Sequence, residues 1–189
     1  FFISAILGVV SYNFNSRRLS EKAAQSLKFY SRQTAANVDF TVDSMKHVTD
    51  YILSDPDMLN AMKTLPKYYG SSTYSKTIER NELLDTLNSG ISMYYINSNF
   101  YRVIIFNEFG DVASSTNTGS KITNKARNTT AIDWLDSAAR RHGKPILVAP
   151  HMDGWGIRES EEVFSLVRKV QGGGDFGYIE VQYATEKLK

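Results

Sequence analysis

The segment "AIDWLDSAARRHGKPILVAPHMDGW", residues 131–155, gathers both tryptophans of the chain, two of its three histidines and a pair of arginines. Within "HMDGW", His151, Asp153 and Trp155 fall at alternate positions behind a run that reads as a strand. His151 and Asp153 could open a metal site, but no third ligand is spaced near them, so hydrogen bonding in a loop or to a ligand is the expected chemistry. Trp155, flanked by Gly154 and Gly156, can lid a pocket and stack on a sugar or another flat molecule. Turned inward, the same ring would plug the loop against the domain. Trp134 shares a predicted helix face with Leu135, Ala138 and Ala139, which makes it a core anchor that can also wall a pocket. Its indole N–H needs a partner in either role.

Two further candidates lie near the C-terminal end. Strand alternation along "VFSLVRKV" puts Phe164, Leu166 and Arg168 on one face, with Val163, Ser165, Val167 and Lys169 on the other. An arginine beside Phe and Leu needs a partner. Arg168 is therefore either ion-paired at the strand end or a donor into a pocket. Tyr178 on the following strand offers a ring for stacking and a hydroxyl for a hydrogen bond. Other motifs carry less. "GGG" at 172–174 lacks the Gly-Lys-Ser/Thr ending of a phosphate loop and reads as a turn, and "NTT" at 128–130 reads as a chance match to a glycosylation sequon. Nothing asks for a catalytic residue, a metal or a cofactor.

Composition narrows the classes. The chain has no cysteine, which excludes disulfides, thiol nucleophiles and Cys-ligated metals. Its 22 Lys and Arg against 20 Asp and Glu are spread evenly over both halves, so the basic stripe of a nucleic-acid partner is missing. "FFISAILGVV" is an apolar run of about ten residues, where a membrane span needs about twenty. It is expected to be the outer end of a span, assigned to residues 1–14.

The elements that must position the candidates follow from hydrophobic period. From Leu19 to Ile52, apolar or small residues recur in steps of three and four, which predicts one amphipathic helix over 19–53, about 52 Å long. Ser54 or Asp55 before Pro56 predicts a break and a new N-cap, with a short second helix behind it. "IERNELLDTLNSGISMYYI" returns to helical spacing. After it the period changes to that of strands: "YRVIIFNEFGDVASST" predicts a hairpin turning at Asn107–Asp111. A helix over 131–142, with a capping box from Thr130 and Asp133 and a C-cap at Gly143, precedes the strand "KPILVAPH". "EVFSLVRKVQ" and "FGYIEVQYA" then pair through "GGGD". The expected fold is α+β, with helices against about five antiparallel strands.

That order, together with "WLDSAARRHGKPILVAPHMDGW" and "VFSLVRKVQGGGDFGYIEVQ", resembles the extracellular Cache (PAS-like) sensor domain of YesM-like bacterial sensor histidine kinases. The resemblance covers residues 19–187. It implies a long N-terminal helix packed on a PAS-like five-stranded antiparallel sheet. Residues 15–66 would form the long and short helices, and 67–189 the sensor domain, the membrane-distal half of a double Cache. Amino-acid-binding double Cache domains resemble one another in an R-x-W-Y-x-x-A pattern, whose Arg takes the ligand carboxylate. Here Trp134 and Ala138 match, but Ile132 stands at the Arg position and Leu135 at the Tyr position. The bidentate partner of a carboxylate is lost there, which argues against free α-amino acids as ligands.

The resemblance implies a ligand-sensing domain on the outer side of the cell membrane, with kinase activity confined to another part of the protein. The expected ligand is a small molecule, a sugar, an organic acid or similar, met by Trp134, His151, Asp153, Trp155, Arg168 and Tyr178. A solute-binding protein is the alternative partner. The same domain on a chemoreceptor or a cyclic-dinucleotide signalling protein would read alike. An extracellular hydrolase acting through Asp153 or Asp133 needs two carboxylates about 5–9.5 Å apart across an open cleft. A passive scaffold would use the long helix alone. Membrane anchoring and a homodimer along the N-terminal helix complete the expectation.

Overall fold

The structure, a computed structural model, describes residues 2–70, 74–97, 100–115, 132–155, 161–171 and 176–188, and of residues 2–11 and 94–97 the backbone alone. The chain divides into two units, Phe1–Thr41 and Val42–Lys189. Helix α1, Phe2–Ser54, is unbroken, as expected where no glycine or proline interrupts the chain between Gly8 and Pro56. In the first unit, Leu19, Leu27 and Tyr30 of its apolar stripe are exposed. In the second unit, Met45, Val48 and Ile52 continue that stripe and are buried. No helix among the described residues is long and apolar enough to cross a membrane.

Within the second unit, Asp55 caps helix α2, Pro56–Thr64, by accepting from the backbone N–H groups of Asp57 at 2.9 Å and Met58 at 3.1 Å. Pro56 at the first helical position has no N–H to leave unpaired. Helix α3, Tyr74–Asn97, follows. The strands are β1, Arg102–Phe106, and β2, Val112–Ser114; then, beyond the short helix α4, Leu135–Ala139, come β3, Ile146–Met152, β4, Glu162–Lys169, and β5, Tyr178–Ala184. All neighbours are antiparallel, in the order β2-β1-β5-β4-β3. The turn between β1 and β2 forms where expected: the Asn107 side-chain oxygen accepts from the N–H groups of Phe109 and Asp111, both at 3.0 Å.

The sheet is covered on both faces. Val103, Ile105, Leu166, Ile179 and Val181 pack on Met45 and Ile52 of α1, Met58 and Met62 of α2 and Leu87 and Ile91 of α3. The other face carries Ile104, Phe106, Val167 and Tyr178 against Ala138 of α4 and Trp155. A sheet buried on both sides hides its polar alternate residues as thoroughly as its apolar ones, and that property creates the site described below.

Two expectations need correction. The helix predicted over 131–142 is an α-helix only from Leu135 to Ala139. Beyond it, Arg141 N–H bonds to Ala138 O and Lys144 N–H to Arg141 O, so the chain tightens into three-residue turns and leaves through His142 at φ 50° and Gly143 at φ 74°. Trp134 occupies the N-cap without a side-chain bond, and Thr130 lies outside the described residues, as do "NTT" 128–130 and "GGG" 172–174.

The second correction concerns Arg168. It lies on the helix-packed face, away from Tyr178, because Lys169 and not Arg168 is the β4 residue opposite Tyr178. Its Nε donates to Gly143 O at 2.8 Å, and Nη1 donates to Thr49 and pairs with Asp50 of α1. Asp50 is well exposed, so solvent screens the pair. Arg168→Ala is expected to cost about 1 kcal/mol of unfolding free energy in urea denaturation. A loss of several kcal/mol would mean that the pair is desolvated.

Candidate functional site

The second face of the sheet holds a line of polar side chains that alternation hides. Arg102 of β1 stands opposite Gln182 of β5, and Gln182 stands opposite Ser165 of β4. With Glu180, two places before Gln182, all four are 0% exposed. Uncompensated, such burial costs several kcal/mol per ion, so the bonding of each atom matters.

Asp153 meets this line from the loop after β3. Its Oδ1 accepts from Arg102 Nη1 at 2.8 Å, from the Trp155 backbone N–H at 3.1 Å and from Gln182 Nε2 at 3.3 Å. The Arg102–Asp153 ion pair is completely buried. Glu180 is the second hub: Trp155 Nε1 donates to Oε2 at 2.8 Å, while Ser165 Oγ at 2.7 Å and Gln182 Nε2 at 3.1 Å donate to Oε1. Trp155 therefore binds both acidic groups, one through its backbone and one through its indole.

His151 reaches the same face by a β-bulge. Val148 pairs with Ser165 and His151 with Val163, so three steps on β3 match two on β4. The extra residue restores His151 to the side of Val148; without it, odd spacing would turn the ring away. Pro150, which has no N–H, is tolerated here because β3 is an edge strand. His151 Nδ1 donates to Ala149 O at 2.9 Å, and Nε2 sits 3.4 Å from Ser165 Oγ and 4.0 Å from Glu180 Oε1.

An aromatic wall closes one end. Phe106 stacks on Tyr178 with centroids 5.3 Å apart, and meets Trp155 at 4.8 Å and Trp134 edge-on at 6.1 Å. Trp134 is thus a half-buried packing partner of Phe106 at the head of α4.

Burial pushes the Glu180 carboxyl above its ordinary value of 4.5, against the opposing effect of its hydrogen bonds from Ser165, Trp155 and Gln182. The folded chain therefore holds this proton more tightly than the unfolded chain. The corresponding stability is fully present below pH 4.5 and is lost as pH rises through the folded value. Glu180→Gln keeps an acceptor for Trp155 and removes the titration. In thermal melts from about pH 4 to about pH 8, the variant is expected to show a flatter decline in Tm than the parent chain. Parallel profiles would show that Glu180 ionises freely.

Of the six residues singled out by sequence, the structure gathers Trp134, His151, Asp153, Trp155 and Tyr178 on or over one sheet face, and leaves Arg168 on the other. Arg102, Ser165, Glu180 and Gln182 were missed, although "YRVIIF", "VFSLV" and "YIEVQY" place each at a site-facing alternate position. Arg102 Nε, Arg102 Nη2 and Gln182 Oε1 are buried with no partner among the described residues. No three His, Asp or Glu side chains converge as a metal set among those residues. A cavity of about 10 Å³ beside Met62, Leu87 and Ile105 is no larger than one water.

Neither a family model nor a curated protein matches the sequence. Among solved structures, the chain is similar to the sensor domain of the histidine kinase DctB from V. cholerae, with a TM-score of 0.60 and 12% identity over 87% of this chain and 57% of that one. The sensory domain of the Campylobacter jejuni chemoreceptor Tlp3, solved with isoleucine, gives a TM-score of 0.48 and 16% identity over 84% of this chain and 62% of that one. The Pseudomonas aeruginosa chemoreceptor PctB ligand-binding domain, solved with L-Gln, gives 0.46 and 15% over 77% and 56%. The chain thus spans less than two thirds of the length of each. The likeness to DctB is one of fold: this chain has a long N-terminal helix and a five-stranded antiparallel sheet of the PAS-like (Cache) kind.

Proposed function

We propose that the chain is the extracytoplasmic ligand-sensing domain of a transmembrane sensor histidine kinase. One observation carries the reading. Arg102, Asp153, Glu180 and Gln182 are gathered, fully buried, on the sheet face opposite the helical core, beside an aromatic wall of Phe106, Trp155 and Tyr178. Apolar surface with a few convergent polar groups is the usual make-up of a small-molecule site. A fold shared with a histidine kinase sensor domain supports the assignment to signalling, and YesM-like membership is part of the proposal. Membrane anchoring and pairing of two copies along α1 belong to it as well.

The test is a thermal-shift screen of sugars, organic acids and peptides on this chain, followed by autophosphorylation of the full-length receptor. A ligand at one hundred times its Kd adds about 2.7 kcal/mol of stability. The expected result is a hit that also changes Trp155 fluorescence and the phosphorylation rate. A screen without hits, or a hit without effect on phosphorylation, would overturn the proposal.

A further inference from the structure

We infer that His151, Ser165 and Glu180 together bind one proton from the surrounding solution and relay its presence to Trp155, which makes acidity a stimulus that this face registers. Such a site needs no small-molecule ligand and so goes beyond the reading above.

Counting hydrogens locates the proton. His151 Nδ1 faces Ala149 O at 2.9 Å, and a carbonyl only accepts, so Nδ1 carries a hydrogen. Ser165 Oγ lies 3.4 Å from His151 Nε2 on one side and 2.7 Å from Glu180 Oε1 on the other. Two such contacts need two hydrogens, and Ser165 brings one. With a neutral imidazole and an ionised carboxylate, lone pairs would meet at one of the two contacts, beside a carboxyl that is 0% exposed. One added proton satisfies both. It can sit on Nε2, which then donates to Oγ while Oγ–H donates to Oε1; or on Oε1, which donates to Oγ while Oγ–H donates to Nε2. Exchange between the two states breaks Nε2–H and Oγ–H and forms Oγ–H and Oε1–H, with no change in total charge.

The relay is open at one end and closed at the other. The His151 side chain is 27% exposed, which lets solvent exchange protons with it, whereas Glu180 is sealed. Burial also holds the Glu180 carboxyl above its ordinary value, the direction that retaining a proton requires. Trp155 reads the result, because its Nε1–H donates to Glu180 Oε2 at 2.8 Å and that bond is stronger to a carboxylate than to the neutral acid. The other charges around this face are engaged elsewhere. Arg102 of β1 and Asp153 pair with each other at 2.8 Å. The Tyr101 hydroxyl stands 3.5 Å from Asp153, within the field of Glu161. At the strand ends, Glu162 accepts from Thr185, Glu108 accepts from Tyr178, and Lys169 lies over the Tyr178 ring. Asp136 of α4 is exposed. Among the described residues, His151 is the one cation-forming side chain within ion-pair distance of Glu180.

The experiment uses the 189-residue chain labelled with nitrogen-15 and titrated from about pH 4 to about pH 9, a range that spans the ordinary histidine transition. The His151 ring nitrogens and Trp155 Nε1–H are the reporters, and the exposed His47 and His142 serve as references. The Trp155 signal is expected to move with the His151 midpoint and not with that of either reference. Glu180→Gln is expected to weaken proton binding at His151 by at least about tenfold, one pH unit of midpoint, and Ser165→Ala to weaken it too, because the imidazolium then lacks its acceptor. A Trp155 signal that stays still through the His151 transition, or a His151 midpoint that Glu180→Gln leaves in place, would overturn the inference. A midpoint unmoved by Ser165→Ala would overturn it as well, since a pair acting through space needs no bridge. Should a variant fail to fold, the two signals of the parent chain decide alone. The ligand-sensing reading stands or falls by its own screen, which none of these outcomes touches.

Discussion

Asp153→Ala is expected to lower the unfolding free energy of the chain by about 3–5 kcal/mol in urea denaturation, with an unchanged m-value. The cause is the charge left behind. Arg102 is 0% exposed and its only bonded nitrogen among the described residues, Nη1, is held by Asp153. Truncation strands that nitrogen and the Trp155 backbone N–H, and takes from Gln182 Nε2 one of its two acceptors. Replacing both members, as in Arg102→Met with Asp153→Leu, is expected to recover most of the loss, since a buried pair exchanged for apolar groups is often neutral. A single-variant loss below about 1 kcal/mol would show that water reaches the pair. The prediction also sorts roles: Asp153 holds the frame of the site, so loss of ligand binding on truncating it would say little about contact. Arg102→Lys keeps the charge pair and is the sharper probe.

The frame was legible where local chemistry is decisive. Asp55 before Pro56 names a helix start, Asn107 and Asp111 name a hairpin, and the change from helical to strand period near Phe100 names the sheet. Half of the candidate site was legible too, because "HMDGW" concentrates unusual residues. The other half was hidden by a symmetry of alternation. In "YIEVQY", Glu180 and Gln182 alternate with Ile179 and Val181, and the pattern is identical whether the polar side meets water or a second layer of protein. Arg168 failed in the opposite direction. Its alternation with Phe164 and Leu166 is real, but that face belongs to the helices, and the strand end lets the guanidinium reach Asp50. The His151 bulge leaves only Pro150 as a trace in the sequence.

Gly177 shows how far the site depends on backbone that carries no chemistry. It precedes β5 at φ 113°, a conformation that side chains rarely adopt, and a Cβ built there would lie 2.2 Å from Phe106 O and 3.1 Å from Asn107 Cβ. Neither neighbour can yield cheaply. Phe106 is paired with Tyr178 in the ladder and stacked on it, and the Gly177 carbonyl accepts from Val170 N–H at 2.8 Å. An alanine must therefore push the start of β5 away from the end of β1. Backbone strain and the clash together predict a loss of at least about 3 kcal/mol for Gly177→Ala in urea denaturation. The same displacement moves Tyr178, Glu180 and Gln182 relative to Phe106, Ile104 and Arg102, their partners across the ladder. Near-UV circular dichroism is expected to change with the stacked pair, and ligand binding to weaken, although residue 177 has no side chain with which to touch a ligand. A Gly177→Ala variant within about 1 kcal/mol of the parent, with an unchanged near-UV spectrum, would show that the β1–β5 register tolerates a side chain at this point.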